Sequence, residues 1–308
     1  MIRKENILKY ISEDCLTFGE PMKQHTSFKV GGPAEVFARP QSAKDVESLL
    51  RFCREEGAPF FILGRGSNLL VSDAGIAGVV IDMTEALKSV RVSGNIITAE
   101  AGASLKSVAR KAEESALTGF EFASGIPGTI GGAAFMNAGA YGGEMKDVFK
   151  SAEVLTREGE RKTLDKEAMA LSYRSSAVEK EGYIVLSVTI ELQKGDSEAI
   201  KALSKELNGR RRDKQPLEYP SAGSTFKRPE GYFAGKLIED AGLKGYSVGG
   251  AQVSEKHCGF VINTGKATAK DIVTLIKDIS DRVYADAGVR LEPEVRMLGF
   301  EKEEMLCD

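Results

Sequence analysis

The residues best suited to chemistry begin with "GRGSNLLVSD" (64–73) and "SGIPGTIGGAAFMNAGAYGG" (124–143), two glycine-rich segments in the first half of the chain. Lacking a Cβ, a glycine lets main-chain N–H groups come within hydrogen-bonding distance of an anion, and a run of such groups can hold a pyrophosphate without any lysine. The first segment directly follows the apolar run "PFFIL" (59–63), where nucleotide-binding folds place a phosphate loop. It departs from the dinucleotide fingerprint, because Leu69 stands at the third glycine position and "LLVSD" follows in place of a helix. The second segment also carries Ile126, Pro127 and Ile130, which suit a wall against a flat ring. Either segment alone reads equally well as a glycine-rich turn. Two of them in one unit, separated by βαβ-like sequence, favour a ligand cradle.

Further along, "SAGSTFKRP" (221–229) sets Ser224 between Gly223 and Thr225. No G-x-S-x-G elbow surrounds it and the chain has only two histidines, His25 and His257, so serine-hydrolase chemistry and a multi-histidine metal site are poorly supported. "LSYRSS" (171–176) contributes Arg174, and "LEPEVR" (291–296) contributes Glu292 and Glu294. By composition alone these are polar surface residues, just as "RRRDK" (210–214) is the wet end of a helix. Cys15, Cys53, Cys258 and Cys307 are far apart and form no C-x-x-C pair, so reduced thiols are expected and no bound metal. A net charge of -3 gives no general attraction for nucleic acid. There is neither a secretory h-region nor an apolar stretch of the ~20 residues needed to span a membrane. The expectation is a cytoplasmic protein that binds neither nucleic acid nor membrane.

The elements that must position these residues are legible from periodicity. At 308 residues the chain is long enough for two domains, and 42% hydrophobic content is enough to bury their cores. Ser42 and Asp45 open an amphipathic helix over 42–57, with Val46, Leu49, Leu50 and Cys53 on one face. "PFFIL", "GVVIDM" (78–83) and "IITAEAG" (96–102) read as strands, and 104–117 as a second helix. "YIVLSVTIEL" (183–192) alternates like a strand with one wet face, and a charged helix over 197–214 leads into a second unit, with a boundary near residue 200. There a helix at about 233–242, a strand "CGFVIN" (258–263), a helix over 268–287 capped by Thr268 and ended by Gly288, and an extended tail at 290–300 are expected. With no repeat or Pro-rich linker, the two units should pack closely, with a ligand cleft between them.

Taken together and in order, "HTSFKVGGPAE" (25–35), "GRGSNLLVSD", "EFASGIPGTIGGAAFMNAGAYGG" (121–143), "LSYRSS", "AGSTFKRP", "GGAQVSEKHCGFVINTG" (249–265) and "LEPEVR" closely resemble the UDP-N-acetylenolpyruvoylglucosamine reductase family of flavoenzymes of peptidoglycan precursor synthesis. The resemblance runs from about residue 20 to residue 300. Without a long insertion between "LSYRSS" and "AGSTF", the chain looks like the shorter form that lacks the tyrosine loop. The resemblance implies an α+β chain: an FAD-binding fold of the vanillyl-alcohol-oxidase (PCMH) type followed by a C-terminal α+β substrate domain. Residues 1–200 would form the FAD-binding region, comprising an N-terminal segment 1–32 and a flavin domain over about 33–200. Residues 201–308 would bind substrate.

On this resemblance Gly64, Arg65, Gly66, Ser67, Asn68 and Leu69 would cradle the FAD pyrophosphate, with Ser124, Gly125, Ile126, Pro127, Gly128, Gly132 and Asn137 completing the cofactor site. Neither histidine nor cysteine occurs between 54 and 256, so the FAD should be non-covalent. NADPH would reduce it and leave before the UDP-sugar enters. Hydride delivery to C3 of the enolpyruvyl group then requires charge stabilisation at the carboxylate and a proton for C2. Arg174 matches the family's residue for the first task, Glu294 its partner as a protonated donor, and Ser224 the proton donor to C2. Tyr173, Lys214, Arg228 and Lys244 are the candidates to hold substrate, the three cations against the UDP diphosphate or equally as solvated surface. His257 is expected to be structural. An FAD-dependent sugar or alcohol oxidase of the same fold, which would not need Arg174, Ser224 and Glu294 together, is the alternative enzyme. A sugar-nucleotide-binding regulator is the alternative outside catalysis.

Overall fold

The structure is a computed structural model that describes residues 1–301. The chain forms two compact units, each assembled from discontinuous stretches. The first comprises Met1–Phe18, Val36–Arg65 and Gly78–Arg211; the second comprises Gly19–Glu35, Gly66–Ala77 and the described residues from Arg212 onward.

The first unit is built on a five-stranded antiparallel sheet in the order Arg161–Asp165, Phe149–Leu155, Ile184–Glu191, Ile96–Glu100, Val90–Ser93. A four-stranded sheet runs in the order Leu16–Pro21, Pro33–Ala38, Ile76–Asp82, Phe60–Leu63, with the last pair parallel. The chain of three of these strands passes from one unit into the other. The helix Ala43–Glu55 starts where the Ser42 side chain accepts the N–H of Asp45, which satisfies one of the free donors of its first turn. It buries Val46, Leu49, Leu50, Phe52 and Cys53. The helix Leu105–Glu114 does the same with Ser104 as its cap and Leu105, Val108, Ala109 and Ala112 inward. It is shorter than its 104–117 sequence pattern, because the chain turns at Ala116 (φ 51) into a short strand at Leu117–Thr118.

The strand over 183–192 is central in its sheet. Its polar alternation holds for Ser187, Thr189 and Glu191, which share a face with Glu153, Ser151 and Thr98 across the ladders. N-terminal to this the alternation fails. Ser187 pairs with Glu153 while Val185 pairs with Val154, so the strand carries one extra residue there. That bulge re-phases the strand and puts Val185 on the same face as Val188 and the buried Ala152 and Val154.

In the second unit, the strands Ser247–Val248, Ala251–Val253 and Val261–Asn263 form an antiparallel sheet packed against the helix Ala269–Ala287. That helix opens with a reciprocal Thr268/Asp271 capping box and ends at Gly288 in the left-handed conformation (φ 67). Ile272, Leu275, Ile276, Ile279 and Val283 are completely buried along it. The strand expected over 258–263 begins only at Val261. His257 Nδ1 accepts the N–H of Gly259 at 3.1 Å, and the Gly259 carbonyl accepts the N–H of Thr225 at 2.9 Å, so 257–260 is held as a turn and not as ladder. The tail is likewise split. Residues 292–294 pair antiparallel with 225–227, and Arg296–Leu298 then runs parallel to Leu69–Val71.

Candidate active site

The loop after "PFFIL" is shaped by close backbone approaches. Gly66 has φ 58, and a Cβ there would lie 2.0 Å from the carbonyl oxygen of His25. The Gly66 carbonyl accepts the N–H of Ser27 at 3.0 Å. The main-chain N–H groups of Arg65, Gly66 and Ser67 meet no protein acceptor among the described residues. Three consecutive free N–H groups around a left-handed residue form a concave donor array suited to an anion. Beyond it Asn68 donates from Nδ2 to the Glu294 carbonyl at 3.0 Å and accepts the N–H of Arg296 on its own carbonyl at 3.2 Å. Leu69 starts the buried strand. Asp73 ends the motif by accepting the N–H groups of Ala269 and Lys270, at 3.0 and 3.1 Å, at the start of the long helix.

The second glycine segment, in the first unit, divides its donors differently. The helix Ile130–Phe135 has its leading N–H groups occupied: Ile130 on Ala103, Gly131 on Ala101 and Gly132 on Thr129 Oγ1. A helix terminus is therefore not the phosphate binder here, and Gly132 spends its N–H on the cap. The loop before it is different, since the N–H groups of Gly125, Gly128 and Thr129 meet no protein acceptor among the described residues. Ser124 Oγ accepts from Asn208 Nδ2 at 3.0 Å, and Ile126 and Pro127 line the same turn, half-buried and exposed. Gly64 faces Thr129, whose Oγ1 would lie 2.8 Å from a Cβ at Gly64. Each loop by itself, 65–67 and 125–129, offers free main-chain donors of the kind that bind a phosphate.

Asn137 is fully buried at φ 45, a conformation asparagine tolerates. Its Nδ2 donates to Glu144 at 2.6 Å and to the Ser172 carbonyl at 3.0 Å, while its Oδ1 accepts the N–H of Lys146. Its side chain is thus spent on placing "LSYRSS". There Ser172 and Ser175 exchange both main-chain hydrogen bonds at 3.1 Å around a two-residue tip, Tyr173–Arg174. Ser176 is buried and donates to the Phe135 carbonyl at 2.6 Å. Arg174 sits at φ 52, with its guanidinium 5.1 Å from the centre of the exposed Tyr173 ring. A bulky residue held in the left-handed region is strained by roughly 1–2 kcal/mol, which is typical of functional tips.

Ser224 and Glu294 come together in the second unit through their neighbours. Thr225 donates its N–H to Gly259, accepts the N–H of Glu294 on its carbonyl at 2.8 Å, and accepts the N–H of Val261 on Oγ1 at 2.9 Å. Thr225 is completely buried, whereas Ser224 before it is exposed and Glu294 is half-buried. Lys214, Arg228 and Lys244 are all exposed. Lys214 lies near enough to His257 to help keep that half-buried imidazole's pKa below its usual value, desolvation being the larger cause. Arg228 stacks on Phe233 at 4.0 Å and donates from Nε to the Tyr232 carbonyl. Lys244 lies beside Cys258, whose thiol is pushed up chiefly by burial.

Asn208 and Arg211 lie on the charged helix over 197–214, Arg211 within the "RRRDK" end that the sequence marks as solvated. Arg211 donates to the Gly125 carbonyl and is largely withdrawn from water. The i, i+3 spacing of the two on one helix face is the signal that could have marked them. Cys15, Cys53 and Cys258 are free and buried; Cys307 lies outside the described residues. Among the described residues no helix is long and apolar enough to cross a membrane.

Residues 34–165 match the model of an FAD binding domain, and residues 215–298 match that of the UDP-N-acetylenolpyruvoylglucosamine reductase C-terminal domain. The UDP-N-acetylenolpyruvoylglucosamine reductase of Lachnoclostridium phytofermentans is 54% identical over 299 residues, covering 96% of each chain. That of Clostridium perfringens (strain 13) is 54% identical over 291 residues, covering 94% of this chain and 95% of its own. Among solved structures, the Thermus caldophilus enzyme of that name superposes with a TM-score of 0.78 at 33% identity, covering 92% of this chain and 98% of its own. Near-complete coverage at such identity, on a scaffold with two loops of free main-chain donors, means that this chain belongs to the UDP-N-acetylenolpyruvoylglucosamine reductase family.

Proposed function

We propose that the chain reduces UDP-N-acetylglucosamine enolpyruvate to UDP-N-acetylmuramate with NADPH, on non-covalently held FAD, as a step of peptidoglycan precursor synthesis in the cytoplasm. FAD, when bound, would carry hydride from NADPH to the enolpyruvyl C3. The 65–67 loop and the 125–129 loop would hold the cofactor through their free N–H groups. Residues 1–200 would serve chiefly the flavin and 201–308 chiefly the substrate. Arg174 would set a permanent positive charge at the substrate carboxylate, where electron density accumulates, and Glu294 would donate a hydrogen bond there. Ser224 would deliver the proton to C2. A serine hydroxyl is a weak acid, and its merit is position.

The observation that carries the reading is the Thr225–Glu294 pairing. One buried residue fixes the backbone of both Ser224 and Glu294, and Asn68 of the first glycine loop donates to the Glu294 carbonyl. The test separates the two halves of the reaction. Ser224→Ala is expected to be reduced by NADPH at the parent rate and reoxidised by the enolpyruvyl substrate about 10²- to 10⁴-fold more slowly, the usual worth of a positioned proton donor. A variant that reoxidises normally, or stalls at the NADPH step, removes Ser224 from the mechanism. Reoxidation of the parent by oxygen alone, and not by substrate, would instead favour an oxidase.

A further inference from the structure

The helix Ser197–Lys214 touches the loop at 124–126 through two side chains one turn apart. Asn208 Nδ2 donates to Ser124 Oγ at 3.0 Å, and Arg211 Nη1 donates to the Gly125 carbonyl. A Cβ at Gly125 would lie 2.3 Å from Asn208 Oδ1 and 3.4 Å from Arg211 Cδ, so glycine is what allows the loop to sit against these side chains. The surroundings of Arg211 are unusual for its charge. Burial pulls its pKa down, the Tyr141 phenol is a side-chain partner, and among the described residues no carboxylate pairs with it. Its Nε is sealed from solvent and meets no acceptor. A desolvated cation held against the loop that carries the free N–H groups of Gly125, Gly128 and Thr129 is an arrangement suited to an anion.

We infer that Arg211 is the counter-charge for a nucleotide phosphate bound at the 125–129 loop, with Asn208 as the positioning residue that holds the loop against it. The inference rests on the reading of this loop as a nucleotide cradle. The phosphate could come from the resident FAD pyrophosphate or from the diphosphate of an incoming nucleotide; the chemistry is the same and the measurement separates them. Arg211→Met keeps the length and removes the charge. On the purified holoenzyme, FAD release after dilution is followed by the rise in flavin fluorescence, and UDP and NADP⁺ are titrated by calorimetry.

If the pyrophosphate of FAD is the partner, release accelerates by about 10- to 100-fold, the usual worth of a charge-assisted contact, and UDP binding is unchanged. If an incoming nucleotide is the partner, its Kd rises by about the same factor and flavin release is unchanged. Release and both affinities within about twofold of the parent overturn the inference, because a buried cation serving only the protein would move none of them. Should the methionine variant fail to fold, Arg211→Gln is read in the same titrations, and parent values there overturn the inference equally, since a glutamine keeps a polar donor but carries no charge. Gly125→Val tests the underlying reading. Parent-like flavin and nucleotide binding in that variant removes the cradle itself, whereas its loss together with an unaffected Arg211→Met removes only the role of Arg211.

Discussion

Gly66→Ala should empty the flavin site while leaving the scaffold standing. Two effects add at this position. A non-glycine residue at φ 58 carries roughly 1–2 kcal/mol of left-handed strain. The new Cβ also starts 2.0 Å from the His25 carbonyl oxygen, well inside contact distance, and that oxygen belongs to backbone that cannot rotate aside. The loop must therefore move by about an ångström, more than the tolerance of a hydrogen bond near 2.9 Å. If two of the three free donors at 65–67 lose their hold on a pyrophosphate, at about 1.5–3 kcal/mol each, the cost is about 3–6 kcal/mol. That corresponds to about 10²- to 10⁴-fold weaker FAD binding. Gly94→Ala is the matched control, because Gly94 has nearly the same φ, 63, and nothing within 4 Å of its Cβ position. It should lose stability by the strain alone and keep its flavin. The assay is FAD per polypeptide after gel filtration, together with flavin release on dilution and far-ultraviolet circular dichroism. Parent-like flavin retention in Gly66→Ala, or equal flavin loss in both variants, would refute the close-approach argument.

Other outcomes follow from individual contacts. Glu294→Gln should retain more substrate turnover than Glu294→Ala, because the amide can still donate a hydrogen bond; equal kcat values would count against a donor role. His257 is held below its usual pKa of 6.5 first by burial and then by Lys214, so the unfolded chain takes up a proton that the folded chain refuses. Its contribution to stability is complete above about pH 6.5 and is lost as pH falls toward the lowered folded-state pKa, and His257→Gln should show a smaller drop in denaturation midpoint than the parent between about pH 7.5 and 5.5. An identical drop in both would dismiss the histidine. Burial pushes the Cys53 thiol up to about 12. It should resist iodoacetamide in the native protein and react only after unfolding, and rapid native labelling at Cys53 would show that its helix face opens.

The sequence alone determined what depends on local chemistry. Ser42, Thr268 and Gly288 mark helix ends because caps satisfy donors and acceptors within a few residues, and the structure uses all three. The collinear motifs determined the family because residue types in order are a property of the chain. Four other features were decided only by tertiary structure. The bulge between Val185 and Ser187 turns Val185 into the core, since register across two ladders is not written in one strand's alternation. "CGF" becomes a turn because a histidine ring and a threonine N–H, one of them 34 positions away from Gly259, claim its peptide groups. Asn137 gains its contacts with Glu144, Lys146 and Ser172 only once the chain folds back. Arg211 looked solvated in "RRRDK", and only the return of the helix to Gly125 withdraws its charge from water. Periodicity and capping act over a few residues, whereas desolvation, register and the claiming of a polar group depend on what the rest of the chain brings alongside.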